Sequence, residues 1–258
     1  MKKTVTRPRF NVIEVAMFLI ACAVLSYALA RYRTEHRLQP FLSSGAEELQ
    51  AIAGPFGESR SSEHGEEWII RDFFGDKRDG VFVDVGANDY RRDSNTYYLE
   101  TSLGWSGVAI EPQTKFASDY AAHRPLTVFV PVFVGDTSDA EATLFVPSND
   151  LVASADQSFA ESKGGASRPV TVRTSRLDDI LDQHHLAKID FLSVDVELHE
   201  PQVLGGFSID RFHPALVCIE AHPKVRQQVL DYFSLHHYRL VGKYLRADAA
   251  NLWFAPAS

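Results

Sequence analysis

The feature that most restricts the fold is a rhythm that sets in at Gly80. Short apolar runs, each stopping at a glycine or an acid, alternate with helix-like stretches. The runs are VFVDVGA (81–87), GVAIEP (107–112), TVFVPVFVGD (127–136), KIDFLSVDVE (188–197) and ALVCIEAHP (215–223). Apolar runs of this kind suit strands buried on both faces, as in parallel sheets covered by helices. Pro131 bends the third strand or marks an edge. Helices are predicted over a Ser94-capped segment through Tyr97 and Leu103, over Gln113–Ala122, 177–186, 200–207 and Lys224–Leu235. Another, from Trp68 to Phe74, is expected to pack on the sheet edge. Residues 140–175 predict an insertion, EATLFVPS and PVTVRTS, with a mobile loop at Lys163-Gly164-Gly165. YRLVGKYL and NLWFAP predict a terminal antiparallel pair. The fold class is therefore α/β with a mostly parallel sheet.

Composition sets the outer limits. Of 258 residues, 45% are hydrophobic and 11% aromatic, which excludes a disordered chain. Two cysteines, Cys22 and Cys218, exclude a disulfide framework. A net charge of −8 is the wrong sign for coating nucleic acid, so no such partner is expected. The charge is unevenly shared: residues 1–40 hold seven basic and two acidic side chains. Within this leader, residues 15–30 are uncharged, and extension back to Phe10 gives 21 residues, about 30 Å as a helix. The predicted organisation is a basic flank (1–9), a transmembrane anchor (10–30), a stalk or linker (31–65) and a body (66–258). Ala28-Leu29-Ala30 also fits a signal-peptidase site, the rival reading.

In such a sheet, ligands bind beyond the carboxyl ends of the strands, where strand order reverses. The first run ends Asp84-Val85-Gly86-Ala87-Asn88-Asp89. Gly86 allows a tight turn, the carboxylates repel a pyrophosphate, and the later glycines of G-x-G-x-x-G are missing. A cationic or neutral nucleoside fits better than a nicotinamide dinucleotide. Glu111 ends the second run, where an acid takes both ribose hydroxyls; an acid equally suits the start of a helix. Asp136 ends the third, facing an adenine amino group or serving as an ordinary turn residue. Asp195, Glu197, His199 and Glu200 end the fourth, with 195, 197 and 199 on one side if the chain stays extended. Glu220 and His222 end the fifth. Two histidines near several carboxylates keep a metal site as the rival reading. The spacing is not H-E-x-x-H, however, a lone histidine is more often a hydrogen-bonded structural group, and no metal is expected.

FVDVGAND, SNTYYLE, LGWSGVAIEP, FLSVDVELHEPQVLGGF and IEAHP together resemble the FkbM-type methyltransferases, over residues 66 to about 256. The resemblance implies a Rossmann-like class I methyltransferase sheet and S-adenosylmethionine as cofactor. It implies Asp84, Gly86 and Asn88 on the methionine side, Glu111 on the ribose, and Asp136 and Asp195 flanking the remaining pocket. The implied reaction is O-methylation of a sugar, lipid-linked or polyketide-like hydroxyl, with a small-molecule or glycan/lipid-linked acceptor as partner. His199 and then His222 are the candidate bases. Positive-inside bias leans towards an external body and cofactor supply towards a cytoplasmic one. A non-catalytic anchored module that keeps the fold is the alternative. Two positions depart from the family pattern. Tyr90 replaces a small residue, predicted to narrow the cofactor entrance or stack on a substrate. Leu198 replaces the glycine of D-x-E-G-x-E, predicted to remove backbone freedom near the acceptor.

Overall fold

The computed structural model describes residues 12–38, 45–57 and 61–257, with side chains of the first helix described at 17–29 and 32. The chain divides into two compact units, Met1–Phe41 and Leu42–Ser258. The first contains α1 (Val12–Leu38), whose described side chains from Met17 to Leu29 are all exposed. Among the described residues no helix is long and apolar enough to cross a membrane, so the transmembrane span expected over 10–30 is not found there. The helix runs on past residue 30 to Leu38, through Arg31 and Arg33. The flank expected over 1–9 lies outside the described residues.

In the second unit, seven strands form one sheet. In spatial order they are β3 (Thr127–Val130), β2 (Ser106–Ile110), β1 (Val81–Val85), β7 (Phe191–Val194), β8 (Leu216–Glu220), β10 (Asn251–Pro256) and β9 (Tyr238–Leu240). Every neighbouring pair is parallel except those made by β10, which runs antiparallel to β8 and β9. The sheet is therefore Rossmann-like, with its last strand turned back between two earlier ones.

A second sheet, ordered β4 (Phe133–Gly135), β6 (Ser167–Arg176), β5 (Glu141–Pro147), carries the insertion. Here two expectations give way. TVFVPVFVGD is two strands rather than one: Pro131 has no N–H for a ladder, so the chain leaves the first sheet at Val130 and joins the second at Phe133. Lys163 and Gly164 do not form a loop but end α6 (Gln157–Gly164), which Asp156 caps through the Phe159 N–H.

Strand side chains alternate, so position parity decides which face each one covers. Val83, Val108, Leu192 and Val217 point towards α7 (Leu177–Gln183), α8 (Glu200–Gly205), α9 (Ile209–Phe212) and α10 (Arg226–Leu235). Phe82, Phe191, Cys218 and Trp253 point the other way, towards α2 (Ala46–Ala53), α3 (Glu66–Phe74) and α4 (Tyr97–Leu103). On that side α5 (Ala117–His123) packs Tyr120 against Ala109 and Phe129. Trp68, Ile69 and Ile70 of α3 thus cover a sheet face, not the expected edge, because a parallel sheet leaves two apolar faces to bury. Ile52 and Ala53 of α2 join the same core, so part of the expected linker packs into the body.

Candidate active site

Strand order reverses between β1 and β7, which opens a crevice at their carboxyl ends. Gly86, Asn88, Glu111 and Asp195 line one cleft there. Gly86 has φ 86°, and a Cβ on it would fall 1.7 Å from the Asp195 carbonyl oxygen. Only glycine satisfies both the turn and that close crossing. Glu111 is buried, and its Oε1 accepts the Gln113 N–H at 2.8 Å. Burial pushes its carboxyl up to about 7, against the opposing pull of Gln113, Asn88 and Lys115. The far wall is apolar, built from Val132, Phe133, Val134, Leu144 and Leu151. No motif in the sequence marks this wall, although the break at Pro131 is what delivers it.

Asp84 does not line the cleft. It sits in register with Ala109 and Ser193, which turns its side chain to the α4 face. There the Thr96 hydroxyl donates to its Oδ2 at 2.8 Å. Burial pushes the Asp84 carboxyl up, with Thr96, Arg124 and Ser193 opposing. Arg124 is fully buried and donates to Glu100, to the Tyr90 carbonyl oxygen at 2.8 Å, and to Thr96. SNTYYLE is therefore a lock on the loop after β1: Ser94 accepts the Tyr97 N–H, Thr96 holds Asp84, and Glu100 holds Arg124. Tyr90 stacks on His123 at 4.7 Å and is not among the cleft's lining residues, so it does not narrow that entrance.

Asp136 and His199 also fall outside the cleft. Asp136 is exposed, beside His199. His199 packs on the Phe133 ring at 4.6 Å and lines a neighbouring pocket with Gln202 and Lys224. Burial lowers it to about 4, outweighing the attraction of Asp136. The cause is local: the chain does not stay extended after β7. Glu197 has φ 53° and Leu198 φ 79°, two successive left-handed residues that swing His199 away. Ser154 from the insertion clamps this turn by donating its hydroxyl to the Glu197 carbonyl oxygen at 2.6 Å.

A second cavity shares Asp195 and Glu197 with the cleft. Glu63, Glu66, Glu220, Asn95 and His222 also line it. Asp195 opens onto both spaces but is walled by protein on its other sides; burial, then Glu220 and Glu200, raise it well above the usual carboxylate range. Burial first and neighbouring carboxylates second push Glu197 and Glu220 up to about 8. Glu66 rises to about 7, again by burial and then by Asp248. His222 stays at this cavity, its Nδ1 accepting the Lys224 N–H at 3.3 Å. Burial, then Lys163, Lys224 and Arg226, lower its pKa, which keeps the ring neutral near pH 7. Glu63 and Glu66 come from the segment before the sheet, where no spacing in the sequence signals them.

A family model described as "Methyltransferase FkbM domain" matches residues 84–240, more than half of the chain. No curated protein sequence matches significantly. Among solved structures, that of Burkholderia thailandensis 1,6-didemethyltoxoflavin-N1-methyltransferase, with bound 1,6-didemethyltoxoflavin and S-adenosylhomocysteine, is similar at TM-score 0.38 and 13% identity, over 98% of this chain and 94% of that one. The cleft's own chemistry suits S-adenosylmethionine. The Glu111 carboxylate can accept from ribose hydroxyls, the apolar wall suits a purine, and a sulfonium beside Asp195 would offset the crowding by Glu220 and Glu200 that raises its carboxyl. The chain belongs to the FkbM methyltransferase domain family, and S-adenosylmethionine is its cofactor.

Proposed function

We propose that this chain is an O-methyltransferase acting on a hydroxyl of a sugar, lipid-linked or polyketide-like acceptor. The observation that carries the reading is a shared wall: Asp195 and Glu197 belong both to the cleft and to the acidic cavity beside it. A donor in the first thus meets an acceptor in the second. Carboxylates accept hydrogen bonds from hydroxyls and repel anions, which favours an uncharged or cationic acceptor. When bound, S-adenosylmethionine supplies a methyl group on a cationic sulfur.

The protein's remaining tasks are alignment and proton removal. Only one of the two candidate histidines, His222, lines the acidic cavity, and its lowered pKa leaves the ring free to take a proton at neutral pH. We assign it the base. Gly86, Asn88, Glu111 and Asp195 hold the cofactor. The exposed apolar row from Met17 to Leu29 supports attachment of α1 to a membrane, with the body on the cytoplasmic side where the cofactor is made.

Calorimetric titration of the full chain with S-adenosylhomocysteine tests the donor half. Saturable binding, weakened ~100-fold by Glu111→Ala through loss of hydrogen bonds to a charged group, supports it. Absence of heat in the unsubstituted protein overturns it. With an acceptor in hand, His222→Ala lowers turnover ~100-fold, while His199→Ala leaves it near normal; the reverse ranking overturns the base assignment.

A further inference from the structure

Three carboxyl groups gather at the acidic cavity: Asp195 and Glu220 line it, and Glu200 is buried beside them. One oxygen each from Asp195, Glu200 and Glu220 lies within 4.8 Å of the other two. Glu200 is completely buried (0% exposed); its Oε1 accepts the Val196 N–H at 3.2 Å, and its Oε2 has no partner among the described residues. Glu220 Oε2 is likewise buried and unpartnered. Protonation relieves their mutual repulsion but brings no donor from the surrounding protein to Glu200 Oε2 or Glu220 Oε2, and an unpaired buried polar oxygen is costly. Lys163, His64 and His222 also line the cavity, but no ion pair joins them to these three carboxylates among the described residues.

We propose that Asp195, Glu200 and Glu220 form a binding site for a divalent cation of the Mg²⁺ or Mn²⁺ type. An all-oxygen set of carboxylates suits such hard cations and offers nothing to a soft metal. The ligands come from the end of β7, the start of α8 and the end of β8, which is why no short ligand motif is visible in the sequence. Three protein oxygens leave a hard cation further coordination positions to fill, and Asp195 and Glu220 face the cavity. Because Asp195 also lines the donor cleft, a cation there lies between donor and acceptor and can hold the acceptor's oxygen and ease loss of its proton. That role rests on the methyl-transfer reading; the binding of the cation does not.

The full chain, stripped with a chelator, is titrated with Mn²⁺ alone, free Mn²⁺ being followed by electron paramagnetic resonance. One saturable site per chain is expected, with Mg²⁺ competing and affinity falling at least ~10-fold in both Glu200→Gln and Glu220→Gln. Mn²⁺ also raises the melting temperature of the unsubstituted chain but of neither variant. No saturable uptake at millimolar Mn²⁺, or uptake that Glu220→Gln leaves unchanged, overturns the proposal. Glu220 is only half-buried, so its variant decides the matter should Glu200→Gln fail to fold. S-adenosylhomocysteine binding is measured in parallel: if it persists while Mn²⁺ fails to bind, the cation site falls and the methyl-transfer reading stands. Mn²⁺ uptake without nucleoside binding does the reverse, keeping the cation site and removing the methyl-transfer reading.

Discussion

The two cavities that meet at Asp195 are built on opposite principles. The cleft around Gly86 and Glu111 is largely complete in itself: apolar walls, one buried acid, and an N–H aimed at that acid from Gln113. The acidic cavity is electrostatically unfinished, with acids at 66, 195, 197 and 220, and Glu200 buried beside them, all raised by burial and some oxygens without partners. A finished pocket binds by fit and changes little when empty. An unfinished one keeps its acids protonated for want of partners, and a cationic ligand would ionise them, so occupancy, pH and stability are linked there.

The wall common to both is the place to break the contrast. Gly86→Ala puts a methyl group onto the Asp195 carbonyl and holds alanine at positive φ, a combined cost of at least ~3 kcal/mol. Denaturant unfolding should show this loss, and nucleoside and Mn²⁺ binding should both weaken. If only nucleoside binding suffers, the two regions are independent and Asp195 does not couple them.

A smaller effect is expected from pH, and it separates the regions in the other direction. Folded-state pKa values of about 7 to 8 for Glu66, Glu197, Glu200 and Glu220 lie above an unfolded value of 4.5. The folded chain therefore binds more protons, so this stability is fully present below about 4.5 and is lost as pH rises through about 8. The ligand-free protein should melt several degrees lower at pH 8 than at pH 6, and Glu197→Gln with Glu220→Gln should flatten that difference. Glu111, at about 7, adds the same slope from the cleft, which the double variant leaves behind. A melting temperature that instead rises towards pH 8 contradicts the proton-holding cavity.

How far the sequence reached follows the same division. Gly86, Glu111 and Asp195 were legible because continuous apolar runs mark buried parallel strands, and the residues just past such runs must gather at one rim. Asp84 was not, since a shift of one position along a strand reverses the face, and only the register with Ala109 and Ser193 shows which it takes. His199 was misplaced because 195, 197 and 199 share a side only in an extended chain, and the left-handed pair 197–198 ends the extension. Glu63 and Glu66 reach the acidic cavity from more than a hundred residues before Asp195, a non-local contact that no local pattern encodes. The sheet was in the pattern; the second cavity was in the packing.

The smallest predicted effect concerns that turn. Leu198 holds φ 79°, where an L-residue pays ~1–2 kcal/mol that glycine does not. Against this stands the extra unfolded-chain entropy of glycine, ~0.5–1 kcal/mol, and whatever packing the half-buried leucine contributes beside Gln202 and Val225. Leu198→Gly should therefore stabilise by at most ~1 kcal/mol, a rise of a few degrees at most in melting temperature. Nucleoside affinity should hold, because the turn's geometry is clamped by Ser154 on the Glu197 carbonyl rather than by the leucine. Ser154→Ala sharpens the point: it removes the clamp, and if Leu198 is retained against strain the turn should loosen and acceptor-side binding weaken before donor binding does. Should Leu198→Gly instead destabilise the chain, the leucine is kept for its packing beside Gln202 and Val225, and strain is the minor term.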